Sequence, residues 1–218
     1  MGLITPYGGA LVDLLITDEA ERGDWVARAG HIPSIQLSPR SLCDLELLAT
    51  GGFSPLDRFM GEADYQHVLS DLRLAGGTVF PIPVTLPVPE ELPVRVGDEI
   101  ALRSPKNDLL AVMTIEERYC WDFDTEAQQV YGTTDVQHPL IAEMTLWGKH
   151  YLAGPLKVVA LPKHYSFVDL RRTPTQVRRL LEGMGSPCGS RVGSPSAAAI
   201  FSSRSSEMTC SSRHAWSW

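Results

Sequence analysis

Ala63-Asp-Tyr-Gln-His-Val-Leu-Ser-Asp-Leu-Arg-Leu-Ala-Gly-Gly-Thr-Val-Phe-Pro-Ile-Pro-Val-Thr-Leu-Pro-Val88 is the stretch on which the fold class turns. Up to Leu74, the apolar residues Tyr65, Val68, Leu69 and Leu72 recur at three- and four-residue steps, which places them on the inward face of a helix. Gly76-Gly77 then closes that helix. From Val79 to Val88 the period becomes extended and is interrupted by Pro81, Pro83 and Pro87, with Pro89 just beyond. Proline removes a ladder donor, so this run reads as an edge strand or an extended crossing segment. Helix followed directly by extended chain points to an α+β architecture.

The flanks read the same way. Upstream, Leu11 to Ile16 is a short strand or a loop segment. Ser38 to Thr50 is a helix: Ser38 is an N-cap, Pro39 suits the first helical position, and Leu42, Leu45 and Leu48 share one face. Gly51-Gly52 ends it. Downstream, Val96-Gly-Asp-Glu99 is a turn that feeds a strand over Glu99 to Leu102. A second β-rich run covers Leu109 to Tyr119, and Ser104-Pro-Lys-Asn-Asp108 between the two is a hairpin-type turn. Lys157 to Leu161 is expected to be the final strand. Residues 1–165 are therefore expected to form a β-rich domain with helical decorations. A new unit is expected over 166–185, opened by a helix with Thr173 as N-cap, Pro174 behind it, and Val177, Leu180, Leu181 and Met184 on one face, capped by Gly183 or Gly185.

Past Gly185 the pattern breaks. Residues 186–218 are rich in serine, carry three arginines (Arg191, Arg204, Arg213) against Glu207, and lack apolar periodicity beyond Ala197 to Phe201. Such a segment buries too little apolar surface to offset its ordering entropy, so a disordered tail is expected. The whole chain of 218 residues has a net charge of −7, so residues 1–185 carry −9. That balance argues against a general phosphate-backbone binder, which needs a basic face. No apolar run is long enough to span a membrane, and Met1 to Leu15 lacks the basic start of a signal peptide. The four cysteines, Cys43, Cys120, Cys188 and Cys210, form no Cys-x-x-Cys pair, which fits free thiols and a cytoplasmic location.

Candidate chemistry is sparse. Arg40 and Arg58 are expected in surface pairs with Asp44, Asp57 or Glu62. Gly8-Gly9, Gly51-Gly52 and Gly76-Gly77 lack the spacing of a phosphate-cradling loop and read as turns and helix ends. Asp122, Asp124 and Glu126 alternate but lack the remainder of a calcium loop. Lys149-His-Tyr151 reads as an amphipathic loop.

Leu37-Ser-Pro-Arg-Ser-Leu-Cys-Asp-Leu-Glu-Leu-Leu-Ala-Thr-Gly-Gly-Phe-Ser-Pro-Leu-Asp-Arg-Phe-Met60 closely resembles the N-terminal signature of the ATP sulfurylases (sulfate adenylyltransferases). Pro6-Tyr-Gly-Gly9, Phe80-Pro-Ile-Pro-Val84, Gly97-Asp-Glu99, His138-Pro, Gly148 through Pro155 and Leu170-Arg-Arg-Thr-Pro174 match the same family in the same order, over residues 3–185. The resemblance implies a PUA-like N-terminal domain followed by the start, here truncated, of a Rossmann-like nucleotidyltransferase domain. It implies the reaction of ATP, supplied with Mg, and sulfate to give adenylyl sulfate and pyrophosphate, and it allows a homo-oligomer and an adenylyl-sulfate kinase as fusion or partner.

In that family a Gln-x-Arg-Asn-Pro loop and an His-x-x-His pair aim donors at developing phosphate charge. Neither motif is in this chain: His31, His67, His138, His150, His164 and His214 include no pair three residues apart. No catalytic, cofactor-binding or metal residue is therefore assigned, and neither ATP nor Mg is expected to bind this chain tightly. The expectation is an inactive N-terminal fragment of the family, with a shifted reading frame or a genuinely divergent terminus as the origin of the tail. The competing readings are a non-catalytic structural or oligomerisation module and a PUA-type RNA-binding module, the latter opposed by the charge of −9 on residues 1–185.

Overall fold

A computed structural model describes residues 3–184. The predicted disorder of residues 186–218 lies outside the described residues, as do Cys188 and Cys210. In chain order the elements are α1 (Glu19–Arg28), β1 (Ser34–Gln36), α2 (Pro39–Thr50), β2 (Arg58–Phe59), α3 (Glu62–Asp71), β3 (Leu86–Val88), β4 (Glu99–Arg103) and β5 (Leu109–Thr114). They continue with β6 (Glu117–Cys120), α4 (Phe123–Glu126, extended by a π-helical turn over Ala127–Tyr131), α5 (Pro139–Met144), β7 (His150–Val158), a 3-10 turn (Val168–Leu170) and α6 (Pro174–Gly183). The α+β class read from the sequence is the one observed.

β7 is the spine of a seven-stranded, curled sheet. On one edge it pairs antiparallel with β5 and then β6; on the other it pairs antiparallel with β2 and then β3. β4 pairs antiparallel with β5, and β1 closes that side in parallel with β4. The expected hairpin turn forms: Ser104 Oγ accepts from the backbone N–H groups of Lys106 and Asp108, both at 3.1 Å. Leu11 to Ile16 touches the sheet at Leu15, bridged to Val158.

Several boundaries differ from the sequence reading. Leu109 to Tyr119 is two strands, because the chain kinks at Ile115-Glu116 and its register against β7 slips by one residue. Gly154 makes that kink possible, since a Cβ there would lie 1.9 Å from the Thr114 carbonyl oxygen. The last strand is not Lys157 to Leu161 but the whole of His150–Val158. It takes in His150 and Tyr151 of the supposed loop at Lys149-His-Tyr151, and Tyr151 is fully buried. The helix predicted over Ala63 to Leu74 ends at Asp71, because Leu72 adopts a left-handed conformation (φ 55°). Leu72 is consequently 52% exposed instead of inward. Gly76-Gly77 turns a small hairpin instead of capping the helix: Leu74 and Phe80 N–H donate to the carbonyls of Thr78 and Leu72. Five elements were not read from the sequence, namely α1, β1, β2, α4 with its π-turn, and α5, and neither was the 3-10 turn at Val168–Leu170.

The core fills one face of the curled sheet. Leu45 and Leu48 of α2, Tyr65 and Val68 of α3, and Phe59, Met60, Leu86, Ile100, Leu102, Met113, Tyr151 and Leu152 form one buried cluster. Ala101 and Val112 point to the opposite face and meet α1 through Trp25 and Ala29. Two ion pairs, Arg28–Glu99 and Lys157–Glu21, fasten α1 at its rim. α2 and α6 both carry the predicted caps: Ser38 accepts from the Ser41 N–H, and Thr173 from the Gln176 N–H.

Candidate functional site

Two places in the described residues gather polar groups. The first is the seam between the sheet and the helical lobe of residues 121–148. Glu126 is 1% exposed, and its Oε2 accepts from the hydroxyls of both Tyr65 and Tyr151 at 2.8 Å. Tyr65, Tyr119 and Tyr151 pack ring to ring at 5.6–5.7 Å, and Tyr119 donates to the Met60 carbonyl at 2.7 Å. Burial pushes the Glu126 carboxyl above its ordinary range; the bonds from Tyr151 and Tyr65 and the charge of Arg40 pull it part of the way back. Burial raises all three tyrosines as well. Trp121 stacks on Tyr151 at 5.2 Å and donates from Nε1 to the Gly148 carbonyl at 2.6 Å.

Arg40 closes the same seam. Its guanidinium lies 4.4 Å from the Trp147 ring, donates to the Pro83 carbonyl at 3.3 Å, and stands 3.7 Å from Asp44. The side chains of Arg40 and Asp44 are only 19% and 15% exposed, so this is not the solvated surface pair expected from the sequence. Desolvation raises the Asp44 carboxyl to about 6; Arg40 opposes that rise and Glu143 adds to it. This seam is built to hold the lobe down: the hydroxyls of Tyr65, Tyr119 and Tyr151 and one Glu126 oxygen are committed to partners within the protein.

The second place is the start of α6. Arg171, Arg172, Gln176, Arg179 and Leu180 line an open groove of about 410 Å³. Thr173 and Gln176 form a reciprocal capping box, while Thr175 bonds Asp13 at 3.1 Å and Arg178 bonds the Ile4 carbonyl at 2.9 Å. α6 thus meets the N-terminal arm through polar groups, and none of its residues is buried.

The other residues weighed in the sequence have structural roles. Arg58 pairs with Asp57 and Glu116; Glu62 instead contributes its backbone N–H to Glu117. Asp122 caps α4 by accepting from the Thr125 N–H at 2.8 Å, and the Thr125 hydroxyl, followed by that N–H, holds its carboxyl below the ordinary value. Gly51 is the left-handed cap of α2, where a Cβ would meet the Val12 carbonyl oxygen at 2.3 Å. Cys43 and Cys120 are unpaired and exposed. Among the described residues, no group of three or more His, Cys, Asp or Glu is arranged to hold a metal ion, and no helix is long and apolar enough to cross a membrane. Sequence reading passed over Glu126 as a tyrosine-bound buried group and over the groove that Arg171 and Arg172, just before α6, line together with Gln176 and Arg179 on it. The only helical signal for the latter was the three-residue step from Gln176 to Arg179.

The description of a PUA-like domain matches residues 4–161, most of the chain. Among curated proteins, the sulfate adenylyltransferase of Phaeosphaeria nodorum is 40% identical over 186 residues, covering 83% of this chain and 32% of its own length. That of Synechococcus sp. (strain JA-3-3Ab) is 40% identical over 184 residues, covering 84% of this chain and 47% of its own length. A solved structure described as a hexameric APS kinase from Thiobacillus denitrificans superposes with a TM-score of 0.65 at 32% identity, over 84% of this chain and 32% of that one. The chain thus spans only about a third to a half of these relatives' length. With a curled sheet built on β7, helices packed against it and a match over residues 4–161, the chain belongs to the PUA-like domain family.

Proposed function

We propose that this chain is the N-terminal part of a sulfate adenylyltransferase, the enzyme that joins sulfate to the α-phosphorus of ATP and releases pyrophosphate. The observation that carries the reading is 40% identity to sulfate adenylyltransferases across more than four-fifths of the chain. Residues 1–165 are its PUA-like domain, residues 166–185 begin its nucleotidyltransferase domain, and residues 186–218 lie outside the family pattern. ATP, supplied with Mg, and sulfate are the substrates of the whole enzyme, which acts in the cytoplasm. The solved relative titled a hexameric kinase supports an oligomeric assembly, with adenylyl-sulfate kinase chemistry as a partner or fused activity. Nucleic acid is not a partner, because residues 1–185 carry a net charge of −9.

The chain itself does not turn over. Its tightly held polar groups at the Glu126 seam serve packing, and the sequence contains neither Gln-x-Arg-Asn nor a His-x-x-His pair. Pyrophosphate release from ATP, sulfate and Mg by the purified 218-residue chain is expected to stay at background. Turnover at ordinary enzyme rates, about 1 per second or faster, would overturn the fragment reading.

A further inference from the structure

Between the sheet and α6 the chain crosses a short irregular stretch, and Leu161 anchors its start against the main core cluster. Three consecutive residues then make side-chain contacts with the domain. Lys163 Nζ lies 3.8 Å from Asp108 Oδ1. His164 Nε2 lies 2.7 Å from Glu46 Oε1. Lys106 Nζ stands 4.7 Å from the centre of the Tyr165 ring and donates to the Tyr165 hydroxyl at 3.4 Å. Lys163 and Tyr165 thus meet the Ser104–Asp108 turn between β4 and β5, while His164, between them, meets α2. That is the alternation of an extended chain, and a slip of one residue would lose all three contacts at once.

Both receiving surfaces are fixed beforehand. The Ser104 hydroxyl holds the turn through the N–H groups of Lys106 and Asp108, so one cation and one carboxylate are presented to the passing segment. Glu46 is carried by α2, whose Leu45 and Leu48 are buried in the core. The contacts differ in weight. Lys163 and Asp108 are solvated, and such a pair contributes little. The side chains of His164 and Glu46 are only 29% and 28% exposed, and a short bond to a carboxylate is the stronger kind.

Two residues further on the chain turns sharply. Phe167 has a φ of 55°, a left-handed conformation that a residue with a Cβ adopts only where its surroundings impose it. Its ring is exposed, so packing of that side chain does not hold the turn. Its carbonyl accepts from the N–H groups of Leu170 and Arg171 at 2.9 and 3.2 Å, which binds the turn to the segment that follows. Beyond it, α6 buries no residue, and its side-chain bonds to the rest of the domain, Thr175 to Asp13 and Arg178 to the Ile4 carbonyl, are exposed.

We propose that Lys163-His164-Tyr165 is a clasp that fixes the position of the α6-bearing segment on the domain, with His164 on Glu46 as its main fastening and Phe167 as the hinge about which residues 168–184 swing when it opens. The clasp stands on contacts within this chain, whatever reaction the whole enzyme performs.

The test is backbone ¹⁵N relaxation of the 218-residue chain and its variants, with α6 amides compared against those of β4, β5 and β7. In the parent chain both sets are expected to be equally ordered. In H164A/Y165A the order parameters of the α6 amides are expected to fall from about 0.85 to about 0.6 or below, with those of the strands unchanged. E46A, which opens the clasp from the α2 side without touching the segment, is expected to do the same. T175A/R178Q is expected to loosen α6 less than either. Parent-like order of α6 in H164A/Y165A or in E46A would overturn the proposal, and so would mobility of α6 already in the parent. Equal loss of order in the strands would show residues that merely stabilise the domain. Full release of α6 by T175A/R178Q would place the fastening on the N-terminal arm instead; either result also overturns the clasp.

Discussion

α2 and α6 are written in the same local language and end in opposite places. Each begins with a hydroxyl N-cap and a proline in the first turn, and each carries leucines at helical spacing. α2 buries Leu45 and Leu48 to 1% and 0% exposure against the face of the curled sheet. α6 buries nothing; Leu180 and Met184 stand 54% and 72% exposed, and the helix holds on through Thr175 and Arg178. Caps and periodicity make a helix, but only a partner surface elsewhere in the chain turns its apolar face into stability. For α2 that surface is the sheet. For α6, among the described residues, no such surface is packed on the apolar side.

The strongest way to break this contrast is to remove the same side chain from both helices. Leu48→Ala deletes a fully buried leucine from the main cluster and is expected to cost about 3–4 kcal/mol, read as a shifted denaturation midpoint. Leu180→Ala is expected to stay within about 0.5 kcal/mol. Equal losses at the two positions would mean that α6 is packed after all.

The next effect concerns the seam that fastens the helical lobe. Glu126→Ala strands the hydroxyls of Tyr65 and Tyr151 in the core and is expected to cost about 3 kcal/mol. Glu126→Gln keeps an acceptor and removes a charge whose burial is unfavourable, so it is expected to be close to neutral at pH 7. Thermal melts of the two variants check this; equal destabilisation would show that the charge itself holds the lobe.

How much of this was legible depends on how far apart the cooperating residues lie. α2, the start of α6 and the Ser104–Asp108 turn were readable because a cap, a proline and a turn serine act within a few residues. α1 was not, since Gly23 interrupts it and it has no buried residue. Its contact is a small patch of Trp25 and Ala29 on Ala101 and Val112, and only the Asp18 cap announced it. β7 was misread because Gly148, Gly154 and Pro155 look like strand breakers. Two are required by distant backbone: a Cβ at Gly148 would lie 1.8 Å from the Val88 oxygen, and one at Gly154 would lie 1.9 Å from that of Thr114. Glu126 looked like one of three alternating acids; what defines it are tyrosines 61 and 25 residues away. The groove at the start of α6 was hidden inside a run noted for its family likeness, because it joins Arg171 and Arg172 of the preceding loop to Gln176 and Arg179 of the helix.

A smaller effect separates the seam from the exposed parts by pH. Asp44 has its carboxyl raised to about 6, against an ordinary value of 3.8, mainly by burial. The folded state therefore holds this proton more tightly than the unfolded chain. Asp44's contribution is fully present below about pH 4 and is lost as pH rises through 6. Unfolding free energy is expected to fall by about 2 kcal/mol from this group between pH 4 and pH 7, allowing for its partial exposure. Asp44→Asn is expected to flatten that segment of the profile, measured by urea titration at several pH values. An unchanged slope would place the proton on another group, with Glu126 first in line because its carboxyl is raised in the same direction.

The smallest thermodynamic effect is expected on α6, where the change should appear in association instead. Leu180 and Met184 stand exposed, as do Phe167, Val168 and Leu170 in the segment before α6, and apolar surface of this kind is disfavoured by water. Leu180→Glu and Met184→Glu are expected to leave the unfolding midpoint within about 0.5 kcal/mol of the parent. They are also expected to lower the concentration-dependent mass seen by light scattering. Leu47, 40% exposed on α2, supplies the control, because a charge there is set on a helix whose apolar face is already covered by the sheet. If Leu47→Glu reduced association as much as Leu180→Glu, the difference between the two helices would lie in general surface charge. If only the α6 variants do so, the uncovered face of α6 is what drives the chain to associate, and the contrast with α2 rests on packing alone.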